Sequence, residues 1–109
     1  MASHISFVYK DKKYVLEYTR NSIKEMERRG FVVEEVLAKP MSMLPDMFAG
    51  AFIANHPFVR RKLIDEIFEQ FDNKGELLDA LAAMYSIVIE EFVNELEKKT
   101  GNGLQWERS

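Results

Sequence analysis

The chain has no cysteine in 109 residues, one tryptophan, two histidines, three prolines and five glycines. Without cysteine there is no disulfide framework, no thiol catalysis and no cysteine-ligated zinc. The histidines, His4 and His56, lie far apart, and neither has a partner nucleophile or metal-ligand spacing beside it. His56 precedes Pro57 at a helix junction, where a ring can bond free backbone groups, so a structural role is expected for it. Long apolar runs are also missing. The longest uncharged stretch, residues 47–59, is 13 residues long and is broken by Pro57, too short to span a bilayer. The opening Met1-Ala2-Ser3-His4 leads into alternating residues without a signal-peptide pattern, so an intracellular protein is expected. No nucleophile elbow, phosphate loop, zinc-protease helix or dinucleotide fingerprint occurs. Asp72-Asn73-Lys74-Gly75 is calcium-loop-like only at a glance, because a lysine holds a ligand position. No catalytic residue, metal or cofactor is expected.

What is present is a globular composition, 47% hydrophobic and 30% charged. Its size suits one core, in which about two thirds of the unfolded surface is buried. Net charge is −3, unevenly placed. Between Leu63 and Glu97 stand ten acids and one base, Lys74. Nucleic-acid binding requires clustered Lys and Arg to displace counterions, so an acidic helical half argues against it.

Ile5, Phe7 and Tyr9 alternate with other residues, as do Tyr14, Leu16 and Tyr18 beyond Asp11-Lys12, which predicts a β-hairpin. Its turn lacks glycine, which leaves the turn type open. The period then changes from two to 3.6, with helices expected near 19–29, 43–55, 58–71 and 74–99. Ser22 with Glu25 fits a capping box, Thr19 is a rival cap, and Gly30 can end the first helix. Phe31-Val32-Val33 is either a third strand or an extended linker, with the strand preferred. Ser42 can cap the second helix, placing Pro45 in its first turn. The last helix carries an apolar stripe of Leu78, Leu81, Tyr85, Val88, Phe92 and Leu96. The expected fold is therefore α+β, a hairpin of two or three strands packed on about four helices. One domain is expected over residues 1–100, with a flexible tail over 101–109 in which Trp106 is a lone anchor, docked on its own domain or on another chain.

Three features bear on function. Arg60-Arg61-Lys62 opens a helix, where the macrodipole disfavours cations by about 0.3–1 kcal/mol each. Their charge serves either the acidic last helix or an acidic partner. Residues 43–54 are apolar nearly all round and read as core or as a partner groove containing Phe48 and Phe52. Residues 80–89 are uncharged on every face, which in so small a chain favours self-association. Glu90, Glu91, Asn94, Glu95 and Glu97 flank the apolar stripe and read as a solvated face. The expected partner-binding set is Phe48, Phe52, Arg60, Arg61, Lys62 and Trp106.

The run Phe7-Val8-Tyr9-Lys10 with Lys13-Tyr14-Val15-Leu16-Glu17-Tyr18-Thr19-Arg20, the stretch from Lys39-Pro40-Met41 to Phe52, and the ending near Trp106 resemble a family of small proteins from tailed phages and prophages of Gram-positive hosts. The resemblance covers nearly the whole chain and rests on packing and capping motifs. It implies a tail assembly chaperone of long, non-contractile-tailed phages, working in the cytoplasm of the bacterial host. Such proteins are non-enzymatic and coat the helical tape measure protein until the tail tube assembles; many also have a longer, frameshifted form. The implied partners are the tape measure protein, the major tail protein and further copies of the chain. No nucleic acid, membrane, small-molecule substrate or cofactor is implied. The competing readings are a structural tail component and a small oligomeric or nucleic-acid-binding regulator.

Overall fold

A computed structural model describes residues 4–99; Trp106 and the expected tail lie outside the described residues. Strands β1 (His4–Tyr9) and β2 (Lys12–Glu17) form an antiparallel hairpin with Phe7 opposite Tyr14. Four helices follow, α1 (Arg20–Arg28), α2 (Pro40–Gly50), α3 (Arg61–Gln70) and α4 (Lys74–Lys99), with one 3-10 turn at Val33–Glu35. The fold is α+β, as the change of period at Thr19 indicates.

The hairpin turn consists of Lys10 and Asp11, with φ of 49° and 67°. Two residues in the left-handed region are what a tight type I′-like connection needs, here without glycine. The tip is fastened from outside: the Tyr9 hydroxyl donates to Glu66 at 2.6 Å and the Lys10 ammonium lies 3.5 Å from the same carboxylate.

Helix α4 has the expected bounds, whereas the first three helices differ from expectation at their ends for local reasons. In α1 the capping box uses Thr19 and Ser22, not Ser22 and Glu25. The Ser22 N–H donates to the Thr19 hydroxyl at 3.0 Å, and the Thr19 N–H to the Ser22 hydroxyl at 2.8 Å. Gly30, at φ 99°, ends the helix as expected. Phe31-Val32-Val33 forms no strand. Phe31 is buried against Tyr85 at 5.8 Å, while Val32 and Val33 are exposed, so the segment anchors one ring instead of joining a ladder.

Helix α2 begins at Pro40, whose preset φ and missing N–H suit the first helical position. Ser42 is therefore interior, and so is Pro45, which leaves the exposed Met41 turn without one backbone bond. The helix stops at Gly50, short of Asn55, by tightening: the N–H groups of Ala51, Phe52 and Ile53 reach back three residues to Phe48, Ala49 and Gly50. Pro57 delays α3, so Arg60 is its cap and Arg61 its first residue.

The segment 51–56 closes the outer edge of β2. The Glu17 N–H donates to the Ala51 carbonyl at 3.1 Å. The Val15 N–H donates to His56 Nε2 at 3.0 Å, and the Asn55 side chain donates to the Val15 carbonyl at 3.2 Å. An accepting Nε2 places the His56 proton on Nδ1, so the neutral ring is the structural form.

The core joins the inner face of the hairpin to all four helices. Phe48 and Phe52, at 0% and 1% exposure, are its centre. Phe7 stacks on Tyr14 at 5.4 Å and meets Phe71 edge-on at 5.0 Å, and Phe48 lies 5.1 Å from Phe68. The Tyr18 hydroxyl donates to the Met47 carbonyl at 2.5 Å, and burial pushes its pKa far up, so it stays protonated. In α4, Leu77, Leu81, Met84 and Tyr85 are buried, with Leu78 and Val88 packed partly against the core. The expected stripe does not continue inward: Phe92 and Leu96 are exposed, because α4 outruns the elements it packs on.

Gly50 has no room for a side chain. A Cβ there would lie 2.4 Å from Met26 Sδ and 2.7 Å from Met26 Cγ. Gly50→Ala is expected to cost about 1–3 kcal/mol in urea denaturation through overpacking. Met26→Ala is expected to cost about 2–5 kcal/mol. The double variant should cost clearly less than the two together, since each change relieves the other.

His56 generates a second expectation. Burial, then the nearby Lys12 charge, hold its pKa below the ordinary 6.5. The folded state therefore binds its proton less readily than the unfolded chain. Stability from this group is fully present above about pH 6.5 and is lost as pH falls through the lower folded value. Urea midpoints should drop between pH 7.5 and pH 5 more in the wild type than in His56→Gln, whose amide oxygen can still accept.

Candidate functional site

Of the six residues expected to bind partners, the structure separates one group from another. Phe48 and Phe52 are wholly within the core, so neither ring can reach a partner; the apolar character of residues 43–54 is consumed by intramolecular packing. Residues 80–89 divide: Leu81, Met84 and Tyr85 are buried, while Ile89 is 38% exposed. Arg61 is committed internally, but not to the last helix: it bonds Asp65 at 2.9 Å and Asp46 at 2.7 Å, on its own helix and on α2. Those two carboxylates raise its pKa against the opposing effect of burial. Arg60 and Lys62 are exposed and form no ion pair within 4 Å among the described residues. Trp106 lies outside the described residues.

Two surfaces emerge. The first is a groove of about 370 Å³ between α1 and α4, with Ile23, Val88, Ile89 and Phe92 as its apolar floor and Arg20, Lys24 and Glu27 at the rim. Arg20 crosses it, its guanidinium 5.2 Å from the Phe92 ring centroid and bonded to Glu95. The hydrogen bond to Glu95 raises the Arg20 pKa, so the charged form is favoured. Beyond the groove the apolar stripe of α4 runs on through Val93 and Leu96, 43% and 51% exposed. On the other flank Val33, Tyr85, Ser86, Ile89 and Glu90 line a shallower depression. Burial raises the Tyr85 pKa, and Glu27 and Glu34 raise it further.

The second surface is basic. Lys12, Tyr14, His56, Phe58, Arg60 and Leu63 line an open groove of about 470 Å³ beside the β2 edge. Phe58 is 95% exposed. It stands between Pro57 and Val59, and the Val59 N–H bonds back to the His56 carbonyl at 3.3 Å. Lys12 lies 5.3 Å from the Tyr14 ring and, like Arg60, has no ion pair within 4 Å among the described residues.

Among the described residues no three His, Asp or Glu side chains converge as metal ligands, and no buried side-chain polar atom lacks a partner. No helix is long and apolar enough to cross a membrane among those residues. What the surfaces offer is apolar area edged by charge, which is the chemistry of protein docking. Phe58 escapes a reading by periodicity because it precedes α3. The signal for it was the Asn55-His56-Pro57 break, which removes the next residue from any helical face. For α4 the signal was length: at 1.5 Å per residue, 26 residues span about 39 Å, whereas α3 has ten residues and α2 eleven.

The chain belongs to the family described as a domain of unknown function, DUF5055, whose model matches residues 1–109. No curated protein and no solved structure matches it.

Proposed function

We propose that this member of the DUF5055 family is a non-enzymatic tail assembly chaperone of long-tailed phages, which binds the tape measure protein in the cytoplasm of the bacterial host before the tube is built. The observation that supports the reading is the apolar groove between α1 and α4. An amphipathic helix lays its apolar face into such a groove, with anchors at three- and four-residue spacing. A tape measure protein is a long run of such helix. Contact through Phe92 and its neighbours is small per copy, so each contact is weak and releasable, and holding comes from many copies along one client.

Co-expression with a tape measure protein from the same phage or prophage should yield a complex that survives purification. Phe92→Asp places a charge on the groove floor without touching the buried core. It is expected to remove about 2 kcal/mol, or roughly thirtyfold in affinity, by titration calorimetry. If the wild type fails to bind, the chaperone reading falls. If the wild type and Phe92→Asp bind alike, the client sits elsewhere. Mass spectrometry of purified virions should find the chain absent; its presence would make it a structural tail component.

A further inference from the structure

The basic groove and the outer edge of α4 are complementary in both charge and apolarity, and they share no residue. At about 100° per residue, Ile89, Val93 and Leu96 fall within a sector of about 60° on α4. Glu90 and Glu97 border that sector on the side away from α1, while Phe92 leans toward α1 and the groove. Glu90 and Glu97 are exposed and form no ion pair within 4 Å among the described residues. Seven residues apart, they are separated by about 10 Å along the helix and bracket Val93 and Leu96. The basic groove has the inverse composition: Lys12 and Arg60 line it together with Phe58.

We infer that the Lys12–Phe58–Arg60 groove of one copy receives the Glu90–Glu97 edge of α4 from a second copy. Phe58 covers Val93 and Leu96, and the cations meet the two carboxylates. Because the joined surfaces differ, the contact is head-to-tail: a pair keeps one unused groove and one unused edge, and association continues into a ring or filament. This leaves the α1–α4 groove open on one side of the helix and does not depend on what fills it. Charge pairing at the rim makes the contact salt-sensitive, and the apolar centre gives it a component that salt does not remove.

The test uses the full chain in analytical ultracentrifugation. Two double variants remove one half each: Phe58→Ser with Arg60→Glu, and Leu96→Ser with Glu97→Arg. All four side chains are exposed, so circular dichroism should be unchanged. The wild type should self-associate at 50 mM salt, with an association constant at least tenfold lower at 500 mM. Each variant alone should be monomeric. An equimolar mixture should form a one-to-one heterodimer that grows no further, because each variant retains the half the other lacks. A monomeric wild type overturns the inference, as do variants that associate like the wild type. A mixture that stays monomeric also overturns it, since a symmetric contact would then be responsible. Should a double variant unfold, the single reversals Arg60→Glu and Glu97→Arg are read by the same mixing criterion.

Discussion

Closure of the outer β2 edge is the constraint on which the rest of the molecule depends. A two-stranded hairpin is marginal alone in water, and its open edges invite pairing with other chains. Here the edge is met by the carbonyl of Ala51, the amide of Asn55 and the ring of His56. For these groups to reach it, α2 must stop at Gly50 and wind tightly, and Pro57 must turn the chain before α3 begins. The same tight winding brings Phe52 under Tyr14, at 5.9 Å between ring centroids. Backbone satisfaction and core packing thus come from one six-residue segment.

Much of this was legible in the sequence, and the misses have physical reasons. Alternation at Ile5–Tyr9 and Tyr14–Tyr18 marks the hairpin because one sheet face is buried. Gly30 marks a helix end because it alone tolerates the backbone there without strain. The structural role of His56 followed from its position before proline. Phe31–Val33 looked like a strand because β-branched and aromatic residues fit one, but propensity cannot supply a neighbouring edge. Helix α2 was placed three residues late because Ser42 is a good cap in isolation, whereas Pro40 is a stronger start. Phe48 and Phe52 were weighed as docking residues because an all-round apolar helix looks the same in sequence whether it is central or exposed. Only the arrangement of the other elements shows that three of them cover it.

Electrostatics separate the basic triplet by geometry that sequence spacing does not contain. Arg61 is drawn inward by Asp46, fifteen residues away in sequence, while Arg60 precedes the helix and faces the groove beside Phe58. The acidic half is likewise not one undifferentiated solvated face. Glu95 is held by Arg20, and Glu66 is held at the hairpin tip, where the Tyr9 hydroxyl and then Lys10 lower its pKa. Glu90 and Glu97 remain at the edge of an exposed apolar stripe. Charge that stabilises the fold and charge available to a partner therefore alternate along the same short stretches of chain.

The overhang of α4 also bears on how long a copy persists in the cell. Its first half belongs to the core and opens only with the whole domain. Among the described residues its second half is less buried, with Ile89, Phe92, Val93 and Leu96 38–51% exposed, so it opens locally at a lower free energy. A protease that needs several unfolded residues finds them there first. Covering the stripe adds the binding free energy to the order of those turns and removes that entry point. A copy whose stripe is covered is therefore expected to resist proteolysis longer than one whose stripe is bare.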